Sequence, residues 1–139
     1  MNITKVNQEY ELAFEYSQKN INLFIEASGD NNPIHWDKDY AKNTPFKKPI
    51  MHGFIGGAVF SKVFGTMFPG EGTIYTNQSL TFHAPMFVET KYNAKFTVLE
   101  INKNKAVIKT EIFDTNNGTL TISGEASLIN KERIFLEDL

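Results

Sequence analysis

Apolar and polar residues alternate at the start of the chain, with Tyr10, Leu12, Phe14 and Tyr16 set against Glu11, Ala13 and Glu15. A period of two predicts a strand with one buried face. The period then changes. Ile21, Phe24, Ile25 and Ser28 fall at i, i+3, i+4 and i+7, which predicts a short helix starting near Ser17 to Asn20, with Gly29 as its stop signal. Asp37 to Asn43 predicts another helical turn, and Pro45 and Pro49 hold the following passage extended.

From His52 to Phe68 the pattern has no polar face. Phe54, Ile55, Ala58, Val59, Phe60, Val63, Phe64, Met67 and Phe68 cover most directions around a helix, with Lys62 the single charge. A helix apolar nearly all round is usually buried. Pro69-Gly70-Glu71-Gly72 ends it. The remainder predicts strands at Ile74 to Ala84, Tyr92 to Ile101, Ala106 to Phe113 and Leu120 to Ile129, with turns at Asn102 to Asn104 and Asn116-Asn117-Gly118. The last strand is the cleanest, Leu120, Ile122, Gly124, Ala126 and Leu128 alternating with Thr119, Thr121, Ser123, Glu125 and Ser127. An α+β fold follows, an antiparallel sheet wrapped around one buried helix, which is the hot-dog arrangement. Its sheet edges and exposed helix flank commonly pair with a second copy, so a homodimer is expected.

Composition narrows the function classes. The chain has 139 residues, enough for one domain over 1–139, with 130–139 as a C-terminal tail. Hydrophobic residues make up 41% and charged residues 22%, a globular balance. A net charge of −2 with no basic run offers no footprint for nucleic acid. The absence of cysteine removes disulfides and thiol nucleophiles. The N-terminus lacks a signal-peptide core, and the apolar run from Phe54 to Phe68 is too short and too broken to span a bilayer. A soluble cytoplasmic protein without a membrane partner is expected.

The candidate chemistry begins in Ser28-Gly29-Asp30-Asn31-Asn32-Pro33-Ile34-His35. In an α-helix Asp30 and His35 would point roughly 140° apart. Pro33, Gly29 and the asparagines favour a turning loop instead, which can bring the two side chains to one point. A carboxylate and an imidazole that converge can hold and deprotonate a water molecule. The alternative is that Asp30 caps a turn and His35 packs beside Trp36. His52-Gly53 opens the apolar helix, where unpaired N–H groups carry partial positive charge. There the Gly53 amide either polarises a substrate carbonyl or simply allows a tight turn. His52 is expected to shape that turn or pair locally rather than act as a base. Ser61, two helical turns on, is expected to bond back to its own helix. His83 has no evident partner, and the spacing of the three histidines argues against a metal site.

These residues resemble the MaoC-like, R-specific enoyl-CoA hydratases. The matching positions are Phe24, Ser28-Gly29-Asp30, Asn32-Pro33-Ile34-His35 and Ala41, then Pro49-Ile50-Met51-His52-Gly53 with Ser61, then Gly72-Thr73-Ile74-Tyr75, Gln78-Ser79-Leu80-Thr81-Phe82 and Pro85. Similarity runs from about Ile21 to Ile129. Ala27 departs mildly from the pattern, and Glu89-Thr90 stands where relatives usually carry a Gly-Asp turn. The resemblance implies reversible hydration of a trans-2-enoyl thioester of coenzyme A, or of acyl-carrier protein, to the (R)-3-hydroxyacyl thioester, with no cofactor. It implies that Asp30 and His35 hold the water, with Asp30 the proton acceptor. It further implies that the Gly53 amide binds the thioester oxygen, Asn32 orients the pair and Ser61 supports the site. A non-catalytic acyl-thioester binding or assembly domain and a thioesterase are the alternatives on the same fold.

Overall fold

The structure is a computed structural model that describes residues 1–137. In chain order it contains strand β1 (Glu9–Phe14), helix α1 (Gln18–Ser28), one 3₁₀ turn (Pro33–His35), helix α2 (Lys38–Lys42), helix α3 (Phe54–Thr66) and strands β2 (Ile74–Gln78), β3 (Thr81–Phe82), β4 (Tyr92–Asn102), β5 (Lys105–Asp114) and β6 (Leu120–Ile129). The strands form one antiparallel sheet in the order β1-β4-β5-β6-β2, with β3 also paired to β6. The sheet curls around α3 in the hot-dog arrangement.

Local chemistry sets the element ends. Ser17 and Asn20 cap α1 reciprocally, the Ser17 hydroxyl accepting from the Asn20 amide at 3.2 Å and the Asn20 side chain accepting from the Ser17 amide at 2.9 Å. Gly29 ends α1 at φ 79°, a left-handed conformation that suits glycine, and its N–H donates to Ile25 O at 2.8 Å. Asp37 caps α2. Beneath these helices Phe60, Val63 and Phe64 of α3 pack with Phe96, Ile108, Ile112, Ile122 and Leu128 of the sheet. Phe96 takes the rings of Phe60 and Phe64 edge-on, with centroids 5.6 and 5.3 Å away.

Two features differ from the sequence expectation. The strand expected from Ile74 to Ala84 is two strands, because Ser79 and Leu80 leave the ladder where the chain passes over Gly124. Ser79 stays tied to β6 there, its N–H donating to Glu125 O and its hydroxyl accepting from the Glu125 amide, both at 2.9 Å. A Cβ at Gly124 would overlap the Ser79 carbonyl. Gly124→Ala is therefore expected to destabilise the protein by about 1–3 kcal/mol, read as a lower urea midpoint. An unchanged midpoint would show that this crossing is not tight.

The second difference is that α3 is not buried all round. Phe54, Ala58, Ser61, Lys62 and Gly65 lie exposed on one flank beside the edge strand β2, with Phe54 69% exposed. The sheet covers the opposite side only. The segment after β6 is docked on the N-terminus through residue 137. Ile134 is buried and bridges Ile3, and Phe135 and Glu137 donate to Ile3 O and Thr4 O. Residues 138 and 139 lie outside the described residues. Among the described residues, no helix is long and apolar enough to cross a membrane.

Candidate active site

The octet from Ser28 to His35 is a chain of tight local turns. The Ser28 hydroxyl accepts from the Asp30 amide at 3.1 Å, Asp30 Oδ1 from the Asn32 amide at 3.3 Å, and Asn32 Oδ1 from the Ile34 amide at 3.2 Å. Each side chain in this series caps the backbone two residues ahead. The Asn32 cap starts the 3₁₀ turn that carries His35, with Pro33 at its first position. The passage before α3 then crosses this loop. Ile50 donates its N–H to Ile34 O at 3.1 Å, and its carbonyl sits 2.8 Å from His35 Nδ1.

That last contact fixes the chemistry of His35. A carbonyl can only accept, so Nδ1 carries the proton and Nε2 presents a lone pair. His35 Nε2 lies 3.9 Å from Asp30 Oδ2, too far for a direct hydrogen bond and within the span of one bridging water. The His35 side chain is 11% exposed, whereas that of Asp30 is 53% exposed. Burial holds the His35 pKa below its ordinary value of 6.5, and the neighbouring His52 ring adds to this. The Ile50 bond and the Asp30 carboxylate pull the other way. An unprotonated His35 is thus available at neutral pH. The acid limb of kcat/KM is expected to show an apparent pKa below 6.5, and a limb centred at or above 6.5 would contradict this assignment.

His52 belongs to the same cluster. It is buried at 3% exposure, stacks on His35 with centroids 3.6 Å apart, and lies against Phe24 on α1 at 4.8 Å. Its Nε2 lies 3.0 Å from the main-chain oxygen of Asp30 and 3.9 Å from Asp30 Oδ2. It therefore donates from Nε2, and Nδ1 is buried without a partner among the described residues. Sequence reasoning gave His52 a local turn role. The available signal was a polar ring between Met51 and Gly53, in a passage leading into an apolar helix.

Asp30, His35 and His52 place three potential metal-ligand atoms within 4.8 Å of one another, which their sequence spacing did not suggest. The tautomers fit a metal poorly. Coordination through His52 Nε2 would break its bond to Asp30 O and move the proton to Nδ1, which faces no acceptor. The set suits water better than a cation.

Gly53 stands at the N-cap of α3, and among the described residues its N–H meets no acceptor. A cavity of about 350 Å³ opens against it, walled by Phe46, Ile50, Met51, Phe82 and Met86. Neither Asp30 nor His35 lines this cavity, and Ile50, whose carbonyl meets His35 Nδ1, is part of its wall. Gly53 is also closely packed, since a Cβ there would stand 2.5 Å from the Phe82 ring, while its φ of −57° and ψ of −35° are ordinary helical values. Asn32 touches the pair through its main-chain N–H and not through its amide group. Ser61 is not brought to the cluster. It lies on the exposed flank of α3, about 12 Å along the axis from Gly53, with no side-chain hydrogen bond among the described residues. His83 bonds to Ser123 Oγ at 2.7 Å and lines the cavity from β3's end.

Residues 2–119 match the MaoC like domain family. The chain belongs to this family. It is 36% identical over 124 residues to the (R)-specific enoyl-CoA hydratase of Aeromonas caviae, covering 88% of this chain and 92% of that protein. It is 38% identical over 125 residues to the (R)-specific enoyl-CoA hydratase of Rhodospirillum rubrum, covering 90% and 87% respectively. Among solved structures, the unliganded R-hydratase PhaJ1 of Pseudomonas aeruginosa superposes with a TM-score of 0.88 at 34% identity, covering 99% of this chain and 94% of that one. The likeness thus spans the octet, α3 and nearly the whole sheet.

Proposed function

We propose that this MaoC-like protein is an (R)-specific enoyl-CoA hydratase that adds water reversibly to a trans-2-enoyl thioester. The observation that carries the reading is the 3.9 Å gap between Asp30 Oδ2 and His35 Nε2, two acceptors facing one another across the space of a water. Asp30 takes a proton as the water oxygen attacks C3, and the pair returns a proton to C2, so that H and OH add across the double bond. Because the pair faces one side of the substrate, both arrive on the same face. The Gly53 amide at the α3 N-terminus binds the thioester oxygen as enolate charge develops. Asn32 holds the Asp30 carboxylate through its N–H. The apolar cavity receives the acyl chain.

The same reading makes the protein a cytoplasmic homodimer. The exposed flank of α3, with Phe54, Ala58 and Gly65, adjoins the unpaired edge of β2, where Ile74 is 59% exposed. An apolar helix flank beside an open strand edge is a surface that a second copy covers. Ser61 lies on this flank, so its supporting role is exerted at the dimer contact. Sedimentation equilibrium showing a monomer at micromolar concentration would overturn the dimer, and recovery in a membrane or secreted fraction would overturn the location.

The test of function uses crotonyl-CoA and crotonyl-acyl-carrier protein in parallel. Loss of enoyl-thioester absorbance without release of free thiol is expected with the coenzyme A ester. Thiol release would identify a thioesterase, and binding without turnover a non-catalytic acyl-thioester domain.

A further inference from the structure

We infer that His52 is a positioning residue that sets the distance between the two members of the water-binding pair, an inference that rests on the hydratase reading. Three contacts converge on its ring: the Nε2–H bond to Asp30 O, the stack on His35 and the tilted contact with Phe24. Among the described residues, the hydrogen bonds that shape residues 29 to 32 are otherwise local, to Ile25, Ser28, Ile34, His35 and one another, apart from the Trp36 indole on Asn31 O. The His52 bond is the one that ties Asp30 to the start of α3. One ring therefore touches both partners, fixing Asp30 through its main chain and His35 through its face. Asp30 Oδ2 stands 3.9 Å from both Nε2 atoms.

Packing alone does not account for a histidine here. Its Nδ1 is buried without a hydrogen bond, a cost that a phenylalanine in the same slot between Phe24 and His35 would not carry. What phenylalanine could not supply is the Nε2–H. Mispositioning a reacting group by about 1 Å can lower turnover about 10²-fold. Loss of the anchor should therefore appear in kcat, with KM little changed.

The experiment compares His52→Phe, His52→Gln and His52→Asn. A glutamine amide nitrogen reaches the place of ring Nε2, whereas an asparagine amide reaches only that of Nδ1. Expected are a fall in kcat of about 10²-fold for His52→Phe and His52→Asn, and recovery to within about tenfold of wild type for His52→Gln. Full kcat in His52→Phe, or equal kcat in the Gln and Asn variants, would overturn the inference. If His52→Phe does not fold, the Gln and Asn pair decides. Nitrogen-15 spectra of the histidine rings supply a readout independent of turnover, with protonation expected at Nε2 of His52 and Nδ1 of His35. A His52 protonated on Nδ1 alone would overturn the anchor even in an active enzyme. Correct tautomers, with the Asp30 amide resonance kept in His52→Gln and shifted in His52→Asn, would uphold it even if no enoyl thioester is hydrated.

Discussion

Asp30→Asn is expected to lower turnover of crotonyl-CoA by about 10²–10⁴-fold while leaving the fold intact. The exchange keeps the shape of the side chain and an oxygen to accept the Asn32 amide. It replaces the second oxygen with an NH₂ group facing His35 Nε2. An acceptor that gripped the water becomes a donor, so the site loses its base and one of the two acceptors that hold the water. Stability should change little, because the Asp30 side chain is 53% exposed and its main-chain bond to His52 is untouched. Initial rates paired with thermal melts check both halves. Activity within tenfold of wild type would remove Asp30 from the chemistry.

His35→Asn has the second largest expected effect. An asparagine amide nitrogen reaches the position of ring Nδ1 and can keep the bond to Ile50 O, but it has no counterpart to Nε2. Turnover is expected to fall by about 10²–10⁴-fold with the loop still docked on Ile50. His35→Ala would lose the same chemistry and also strand that carbonyl, at about 1–3 kcal/mol of stability. Comparing the two separates catalysis from structure. Since Asp30 and His35 grip one water, the double variant Asp30→Asn/His35→Asn should be little slower than the worse single variant. Losses that multiply would mean that the two residues act on separate steps.

Much of this site was legible in the sequence because its geometry is local. Gly29, Asn32 and Pro33 determine their own turns, so the placing of Asp30 and His35 in one loop followed from backbone chemistry. Alternation located β6 at Leu120–Ile129, though a register shift against β5 at Thr121 leaves Thr121 and Ile122 both buried. The break in the strand after Gln78 was not legible, because it arises from the close passage of Ser79 over Gly124, a residue on another strand. Which residues form the open flank of α3 was not legible for a related reason, since Phe54 and Ala58 are as apolar as their buried neighbours and hydrophobicity does not show which side the sheet will cover. His52 was underweighted because all its partners are remote. Phe24, Asp30 and His35 meet it only once α1 and the octet fold over the start of α3.

The central claim is that one water, held between Asp30 and His35, is added to C3 of an enoyl thioester. Turnover of crotonyl-CoA in ¹⁸O-labelled water, with the product examined by mass spectrometry and chiral analysis, tests it most directly. The expected product is (R)-3-hydroxybutyryl-CoA carrying one ¹⁸O at the 3-hydroxyl and none at the thioester carbonyl. Label in a released crotonate carboxylate, or a product of S configuration, would contradict it.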